Sequence, residues 1–321
     1  MRMTVPTPLG DIAVRCLAEP VGPTRPHRAT DRSKAPALLL LHANPGDGRD
    51  FDAVLPALAD RHRTYVIDWP GYGGSTARDP ERVTPEGLVD VAGRVLDALA
   101  ERHGVHRIAV LGNSVGGYVA CRLAQRPRAA TVTALVLVAP AGFTRHTALT
   151  RWFCREVMGR PARARRLVVP LARAYLGRLG TPSARETYAR TRQLPYDERR
   201  LAVHCAIWRG LADPDLALTD PDLALTGRDG GLTGPAGPAG LDLPVLLLWG
   251  SRDPVVPAFL DGRRARRALP ADRTSSVLLP TGHEPYNERP GLFLRHVLPF
   301  LDDPAAAGPA PVRSPGRLRS R

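Results

Sequence analysis

Six apolar runs of strand length, spaced by helical patterns, constrain the fold of this chain more than any other feature of its sequence. Each run stops at Gly, Pro or a polar residue. Strands that are apolar on both faces and alternate with helices form parallel sheets. We therefore predict an α/β fold with a mainly parallel central sheet and helices on both faces. The runs begin at residue 37 and at 63–71, 107–114, 132–142, 243–253 and 275–283, and helical patterns lie at 51–61 and 86–102.

The alternation stops between residues 143 and 240, where the chain is rich in Arg and in helix-forming residues. We predict that segment 143–240 is a helical cap inserted after the sixth strand, and that residues 1–142 and 241–302 together form the core. The chain has 321 residues, 43% of them hydrophobic, which is enough for one large domain with such an insertion.

Three segments have the composition of flexible chain. Residues 20–35 are polar and rich in Pro, and residues 303–321 form a basic tail. Residues 213–240 contain the heptapeptide DPDLALT twice and continue into a Gly- and Pro-rich stretch. We predict flexible loops at 20–35 and 213–240 and a disordered tail at 303–321.

The net charge of +14 is a feature shared with nucleic-acid-binding proteins, but the distribution of the basic residues argues against that class. All of them except Lys34 are Arg, in a chain that is also rich in Ala, Pro and Gly. The clusters at 159–167, at 262–267 and in the tail carry no interleaved aromatic residues that could stack on bases. We expect no nucleic-acid partner, and the sequence leaves the oligomeric state open.

Signals for targeting and for cofactors are also informative. No apolar run approaches the roughly 20 residues that cross a bilayer, and the first residues lack the continuous apolar stretch of a secretory signal. We therefore expect a cytoplasmic protein with no membrane span. The cysteines lack C-x-x-C spacing, which argues against a disulfide framework and a zinc site, and we expect no cofactor. The four cysteines are Cys16, Cys121, Cys154 and Cys205.

The segment "VLGNSVGGYVA" at 110–120 contains the pattern G-x-S-x-G, with Ser114 between Gly112 and Gly116. A buried-strand pattern precedes it and a helical pattern follows, which is the context that this motif requires. A sharp strand-to-helix turn exposes the serine oxygen above the sheet, and its flanking residues must be small because the chain nearly touches itself. The helix that follows points its positive end at the site. We predict that Ser114 is a nucleophile.

A serine hydroxyl needs a base to take its proton, and the base needs a third group to orient it. At sites of this kind the partners follow in the order serine, acid, histidine. Asp253 follows one predicted strand and His283 follows the next, so both lie at the same sheet edge as Ser114. We predict a catalytic triad of Ser114, Asp253 and His283. His42 also lies at a strand end but lacks this combination of position and partner.

An oxyanion hole requires two converging backbone N–H groups. We predict that one belongs to Val115, which follows the nucleophile, and the other to Asn44 in "HANPG" after the first predicted strand. The tight turn "DWPGYGGS" at 68–75 brings further backbone near the site, and we expect a structural role for it.

Together these motifs resemble the α/β-hydrolase family, and its capped members in particular. "HANPG" is similar to the family's H-G-x-P-G, and "DWPGYGGS", "GNSVGG", "WGSRDPVVP" and "GHEPYNERP" follow in the family's order over residues 36–302. The resemblance implies the α/β-hydrolase fold. Ala43 departs from the pattern, because the family usually has Gly at this position.

The resemblance implies a hydrolase that cleaves a carboxylic ester or related acyl bond of a small-molecule substrate through an acyl-enzyme. Alternatives remain. "GNSVGG" is similar to the "GNSMGG" of carbon–carbon bond hydrolases of the meta-cleavage type, and lactonases and perhydrolases share the same constellation. A non-catalytic ligand-binding protein on this fold is less expected, because a receptor needs no proton relay. Haloalkane dehalogenases and epoxide hydrolases use an Asp nucleophile, so Ser114 argues against both. Aromatic residues of the cap either line the pocket or form the cap's own core: Trp152, Phe153 and Trp208.

Overall fold

The central feature of the structure is a sheet of eight strands in the order β1-β2-β4-β3-β5-β6-β7-β8. The structure is a computed structural model that describes residues 1–17, 36–218 and 241–306. The strands are β1 (Arg2–Thr7), β2 (Gly10–Leu17), β3 (Ala37–Leu41), β4 (Thr64–Ile67), β5 (Arg107–Asn113), β6 (Thr131–Val138), β7 (Val245–Gly250) and β8 (Thr274–Leu279).

The sheet is parallel from β4 to β8, and the first two strands form an antiparallel hairpin that pairs with β4. Every residue of β3, β4 and β7 is buried, because helices cover both faces of the sheet. The six predicted strand runs coincide with β3 to β8, and the predicted fold class is confirmed. The hairpin adds an antiparallel edge that we did not predict.

Helices alternate with the parallel strands. They are α1 (Leu55–Ala59), α2 (Pro85–His103), α3 (Val115–Ala124), α4 (Ala148–Trp152), α5 (Pro161–Tyr175), α6 (Pro182–Thr191), α7 (Glu198–Gly210), α8 (Arg263–Ala268), α9 (Pro285–Glu288) and α10 (Pro290–Asp302). Two short π-helical segments lie at Phe153–Met158, directly after α4, and at Ala258–Gly262, directly before α8.

The two helical patterns predicted from the sequence have different outcomes. The pattern at 86–102 is α2, which begins after Thr84, whose hydroxyl accepts a hydrogen bond from the backbone N–H of Gly87, and ends at Gly104 with a left-handed φ of 63°. The pattern at 51–61 gives only the short helix α1, because Pro56 has no N–H for the hydrogen bond that a continuous helix would require.

Two apolar cores lie on opposite faces of the sheet. The larger contains side chains of α2 and α3, such as Leu96 and Val119, and the smaller contains side chains of α1 and α10, such as Leu58 and Phe293. These helices hold the sheet rigid from both sides, so the loops that leave the carboxyl ends of the strands start from fixed positions.

Helices α4 to α7 lie between β6 and β7 in the chain, and we refer to them as the cap helices. Helices α5 and α7 share a small core of their own, while Val203 and Ile207 of α7 pack into the larger core of the sheet. A buried ion pair fixes α6 to the loop after β3, because Arg190 Nη2 donates to Asp50 Oδ1 at 2.5 Å. Helical structure at this place agrees with a helical cap after the sixth strand.

The predicted loop at 20–35, most of the predicted loop at 213–240 and most of the predicted tail at 303–321 lie outside the described residues. The part of 213–240 that is described, residues 213–218, contains a short 3-10 helix at Pro214–Leu216. Leu218 is buried there, and its backbone N–H donates to the Gly142 carbonyl at 2.7 Å, so this end of the segment is tied to the loop after β6.

The turn between β5 and α3 predicts a large effect for Gly116→Ala. A Cβ at Gly116 would lie 2.3 Å from the carbonyl oxygen of Leu41, which is backbone and cannot move aside. We expect the substitution to lower the free energy of unfolding by more than about 3 kcal/mol, measured by urea denaturation.

Gly291→Ala in α10 is the matched control, since a Cβ there meets no described atom within 4 Å. We expect it to be neutral or to stabilise by about 0.5–1 kcal/mol. Equal effects of the two substitutions would show that the turn tolerates a side chain, and would contradict the close approach at Gly116.

Candidate active site

Ser114 lies on a strained turn between β5 and α3. Its φ of 56° and ψ of −118° are unusual for a residue with a side chain. A Cβ at Gly112 would lie 2.2 Å from the carbonyl oxygen of Gly116, so the chain can close this turn only with glycine at that position. Ser114 occupies the N-cap position of α3, yet its side chain makes no capping hydrogen bond. The hydroxyl is therefore directed away from the helix that it precedes.

The predicted oxyanion donors lie beside this serine. Val115 is the first residue of α3, where the backbone N–H has no partner within the helix. Asn44, in the loop after β3, lines the same cavity as Ser114 and Val115. The structure thus brings the three predicted residues to one place, at the positive end of a helix.

Asp253 and His283 contact each other directly. His283 Nδ1 donates to Asp253 Oδ2 at 2.5 Å, and both side chains are buried. The other carboxylate oxygen accepts from the backbone N–H groups of Val255 at 2.9 Å and Val256 at 3.0 Å. Because these bonds engage both oxygens, the carboxylate is held in one orientation.

Burial alone would lower the pKa of His283, but the charge of Asp253 and its hydrogen bond outweigh that effect and raise the pKa above the ordinary 6.5. Nδ1 faces the carboxylate, so Nε2 is the nitrogen left for a reacting group. This is the arrangement of a general base whose protonated form is stabilised by its neighbour.

Ser114 and His283 line the same small cavity. Within the described part of the chain no hydrogen bond joins the two side chains. Catalytic hydrogen bonds are often long without substrate and shorten when the reacting group is bound. The structure therefore brings Ser114, His283 and Asp253 together at one sheet edge. A hydrogen bond between Ser114 and His283 would form when a substrate is bound.

Asn113 is a site residue that the sequence analysis did not identify. Its buried amide Nδ2 donates to the carbonyl of Val138 at 2.9 Å and to that of His283 at 3.2 Å, while its Oδ1 accepts from Tyr286 at 3.0 Å. The residue before Ser114 thus anchors the loop that contains His283. It occupies an unrestricted position of G-x-S-x-G, so no sequence signal could have found it.

His42 has a structural role. Its Nε2 accepts from the backbone N–H of Trp69 at 2.9 Å, and its backbone carbonyl accepts from Trp69 Nε1 at 2.8 Å. These bonds join the loop that carries Asn44 to the turn at 68–75, as expected for the structural role of that turn. His42 makes no contribution to the proton relay in this arrangement.

Two cavities meet at Ser114. The larger has a volume of about 410 Å³, and the smaller, of about 20 Å³, is also lined by His283. The walls of the larger cavity are mainly apolar, with residues such as Leu149, Phe153, Leu171, Trp208, Leu211, Leu216 and Val256. Of the three predicted cap aromatics, Phe153 and Trp208 line it. Trp152 is 53% exposed and lines neither cavity, so it belongs to neither alternative.

The described residues contain no group of three or more His, Cys, Asp and Glu side chains that could hold a metal ion. None of the helices in residues 1–17, 36–218 and 241–306 is both long enough and apolar enough to cross a bilayer.

The sequence model of the α/β hydrolase fold family matches residues 36–290, and the chain belongs to this family. A curated relative described as a probable 1-acylglycerol-3-phosphate O-acyltransferase, from Oryza sativa subsp. japonica, is 34% identical over 117 residues. The aligned residues are 35% of this chain and 27% of that protein, so the chain matches about a quarter of the relative's length.

Two solved structures share the fold over almost the whole chain. A thermophilic esterase from Thermogutta terrifontis has a TM-score of 0.68 and 21% identity, over 95% of this chain and 99% of that one. An N-acyl homoserine lactonase has a TM-score of 0.65 and 20% identity, over 95% and 97% of the two chains.

The raised pKa of His283 predicts the pH dependence of turnover. The base must be neutral, so kcat/KM should fall as the pH drops through a midpoint above 6.5. Asp253→Asn removes the charge that raises the pKa, and we expect it to move this midpoint to lower pH and to reduce kcat by about 10³–10⁴-fold. Asp261→Asn, which changes another buried carboxylate, should leave the midpoint in place. An unchanged midpoint in Asp253→Asn would contradict the assignment.

Glu284, next to the histidine, is a buried carboxyl group in a crowded acidic environment. Its Oε2 accepts from Asn287 Nδ2 at 2.6 Å. Burial, together with the nearby charge of Asp50, raises the pKa of Glu284 to about 8. At neutral pH the folded protein therefore keeps a proton on Glu284 that the unfolded chain releases.

This predicts a pH-dependent effect of Glu284→Gln. Between pH 4.5 and about 8 the folded state binds the extra proton, so this group makes stability fall as the pH rises. Gln cannot ionise. The Tm of the Glu284→Gln variant, relative to that of the unsubstituted protein, should therefore rise by at least ~2 °C between pH 5 and pH 8.5. Glu101→Gln, on the exposed side of α2, should show no such trend. A constant difference in Tm for Glu284→Gln would show that the carboxyl group is not protonated in the folded state.

Proposed function

We propose that this protein is a serine hydrolase that cleaves a carboxylic ester or related acyl bond through an acyl-enzyme. Ser114 attacks the carbonyl carbon while His283 Nε2 takes the hydroxyl proton and then donates it to the leaving group. Asp253 stabilises the imidazolium, and the N–H groups of Val115 and Asn44 hold the oxyanion. A water molecule then attacks the acyl-enzyme with the help of His283 in the same way and releases the acid.

The observation that carries this proposal is the 2.5 Å hydrogen bond from His283 to Asp253 in a cavity shared with Ser114. A buried histidine paired with a carboxylate beside a strained serine has little use in a purely structural or receptor role. The apolar cavity of about 410 Å³ suits the hydrocarbon part of an acyl group. We further propose that residues 143–240 form a cap over this cavity and that the protein acts in the cytoplasm.

Carbon–carbon bond hydrolases, lactonases and perhydrolases could use the same groups. Activity on p-nitrophenyl acetate without activity on a vinylogous diketone supports ester cleavage. The reverse result would assign the protein to the carbon–carbon hydrolases. Neither outcome alters the role that we give to Ser114.

A fluorophosphonate probe tests the nucleophile directly. We expect it to label the protein covalently, and Ser114→Ala to abolish the labelling and reduce turnover by at least ~10³-fold, because the attacking oxygen is lost. The melting temperature should change little, since the side chain makes no capping hydrogen bond.

Ser251→Ala is the matched control, because Ser251 follows β7 at the same sheet edge and is exposed. It should be labelled like the unsubstituted protein. Absence of labelling in folded protein, or equal labelling of Ser114→Ala, would overturn the proposed function.

A further inference from the structure

His204 of the cap helix α7 lines the small cavity together with Ser114 and His283. Its side chain is fully buried. Nothing in the triad or the oxyanion hole requires a histidine here, and a fully buried imidazole has a desolvation cost that needs an explanation.

The contacts of Asn44 determine which nitrogen of His204 carries the proton. Asn44 Nδ2 donates to the backbone carbonyl of His204 at 3.3 Å, and Asn44 Oδ1 accepts from the Tyr72 hydroxyl at 2.7 Å. These two bonds fix the orientation of the amide. His204 Nδ1 lies 3.3 Å from the same Oδ1, which can only accept, so Nδ1 is the protonated nitrogen.

The other nitrogen, Nε2, is therefore an acceptor with a free lone pair. It is buried and has no hydrogen-bond partner among the described residues. Burial also lowers the pKa of His204 to about 3, so the ring is neutral at physiological pH. Nε2 can then accept a hydrogen bond and cannot donate one.

Trp208 lies one helical turn further along α7, and its ring contacts that of His204 with centroids 6.3 Å apart. Its indole Nε1 is a donor that likewise finds no partner within the described chain, and the residue lines the same small cavity. An acceptor and a donor without partners thus belong to two residues that line the small cavity from the same helix. A hydroxyl group, which donates one hydrogen bond and accepts another, is complementary to this pair.

The position of His283 identifies which part of a substrate enters the small cavity. His283 lines this cavity and is not among the residues that line the larger one. Because the histidine gives its proton to the leaving group, the leaving group lies on its side of Ser114. The larger apolar cavity is then left for the acyl chain. The small cavity, with a volume of about 20 Å³, limits the leaving group to a short alcohol.

We propose that His204 is a specificity-determining residue whose Nε2 accepts a hydrogen bond from a second hydroxyl on the leaving alcohol. The substrates are then monoesters of a short diol with an apolar acid. This inference rests on the proposed function, because it takes the side of the leaving group from the role of His283. Trp208 Nε1 donates to the oxygen of the same hydroxyl.

The test compares two butyrate esters that differ only in the leaving alcohol. 2-Hydroxyethyl butyrate carries the hydroxyl, and propyl butyrate has a methyl group in its place. We expect kcat/KM to favour the hydroxyethyl ester by about 10–100-fold, because the propyl ester leaves Nε2 buried and unpaired. His204→Phe should reduce this ratio to within about 3-fold, mainly by loss of activity on the hydroxyethyl ester.

Two further variants keep the test decisive. Trp208→Phe removes one N–H with little change of shape, and it should lower the ratio even if His204→Phe folds poorly. His296→Phe in α10 is the matched control and should keep the full ratio, since α10 packs on the other face of the sheet. A ratio near one in the unsubstituted protein, or a ratio that survives both cap substitutions, overturns the proposal.

Binding separates this inference from the proposed function. Calorimetry with Ser114→Ala measures the affinity for both intact esters. If the hydroxyethyl ester binds more tightly but the active protein hydrolyses neither ester, the result supports the hydrogen bond to His204 and overturns the proposed function. If both esters are hydrolysed without preference and bind equally, the role of His204 is overturned and the proposed hydrolase function is supported. If neither ester binds or reacts, both are overturned.

Discussion

The strained backbone of Ser114 is the constraint on which the arrangement of this site depends. A residue held in such a sparsely populated conformation costs on the order of 1–3 kcal/mol and persists only where its surroundings fix it. Here they do so through the backbone. The Ser114 N–H donates to the Val138 carbonyl at 3.0 Å, and the Ser114 carbonyl accepts from Gly117, Tyr118 and Ala141. These bonds tie the turn to β6, to α3 and to the loop after β6, and they hold Ser114 where it lines both cavities.

The cap helices help to position His283, and their residues also line the larger cavity. The backbone N–H of His283 donates to the carbonyl of Tyr175, the last residue of α5, at 2.8 Å. A Cβ at Gly282 would lie 2.2 Å from the same oxygen, so the loop can approach the cap only because this residue is glycine. Together with the ion pair between Arg190 and Asp50, these contacts make the geometry of the histidine depend on how the cap is docked.

The features that depend on one helix or strand alone could be predicted from the sequence. Runs of buried residues mark β3 to β8, and the placement of Ser114, Asp253 and His283 after three of these strands follows from the rule that parallel strands end at one edge. Periodicity reports which face of an element is apolar, but not which element it meets. The roles of Asn113 and His204 depend on contacts between distant segments, and the exposure of Trp152 depends on how α4 docks. These could not be read from spacing.

The most direct measurement of the central claim is rapid-quench mass spectrometry of the protein during turnover of a p-nitrophenyl ester. We predict that, in the first turnover, the protein gains the mass of one acyl group, that the adduct lies in the peptide containing Ser114, and that it disappears as the acid is released. An acyl adduct on another residue, or steady release of acid with no adduct under conditions that trap esters, would contradict the proposed role of Ser114.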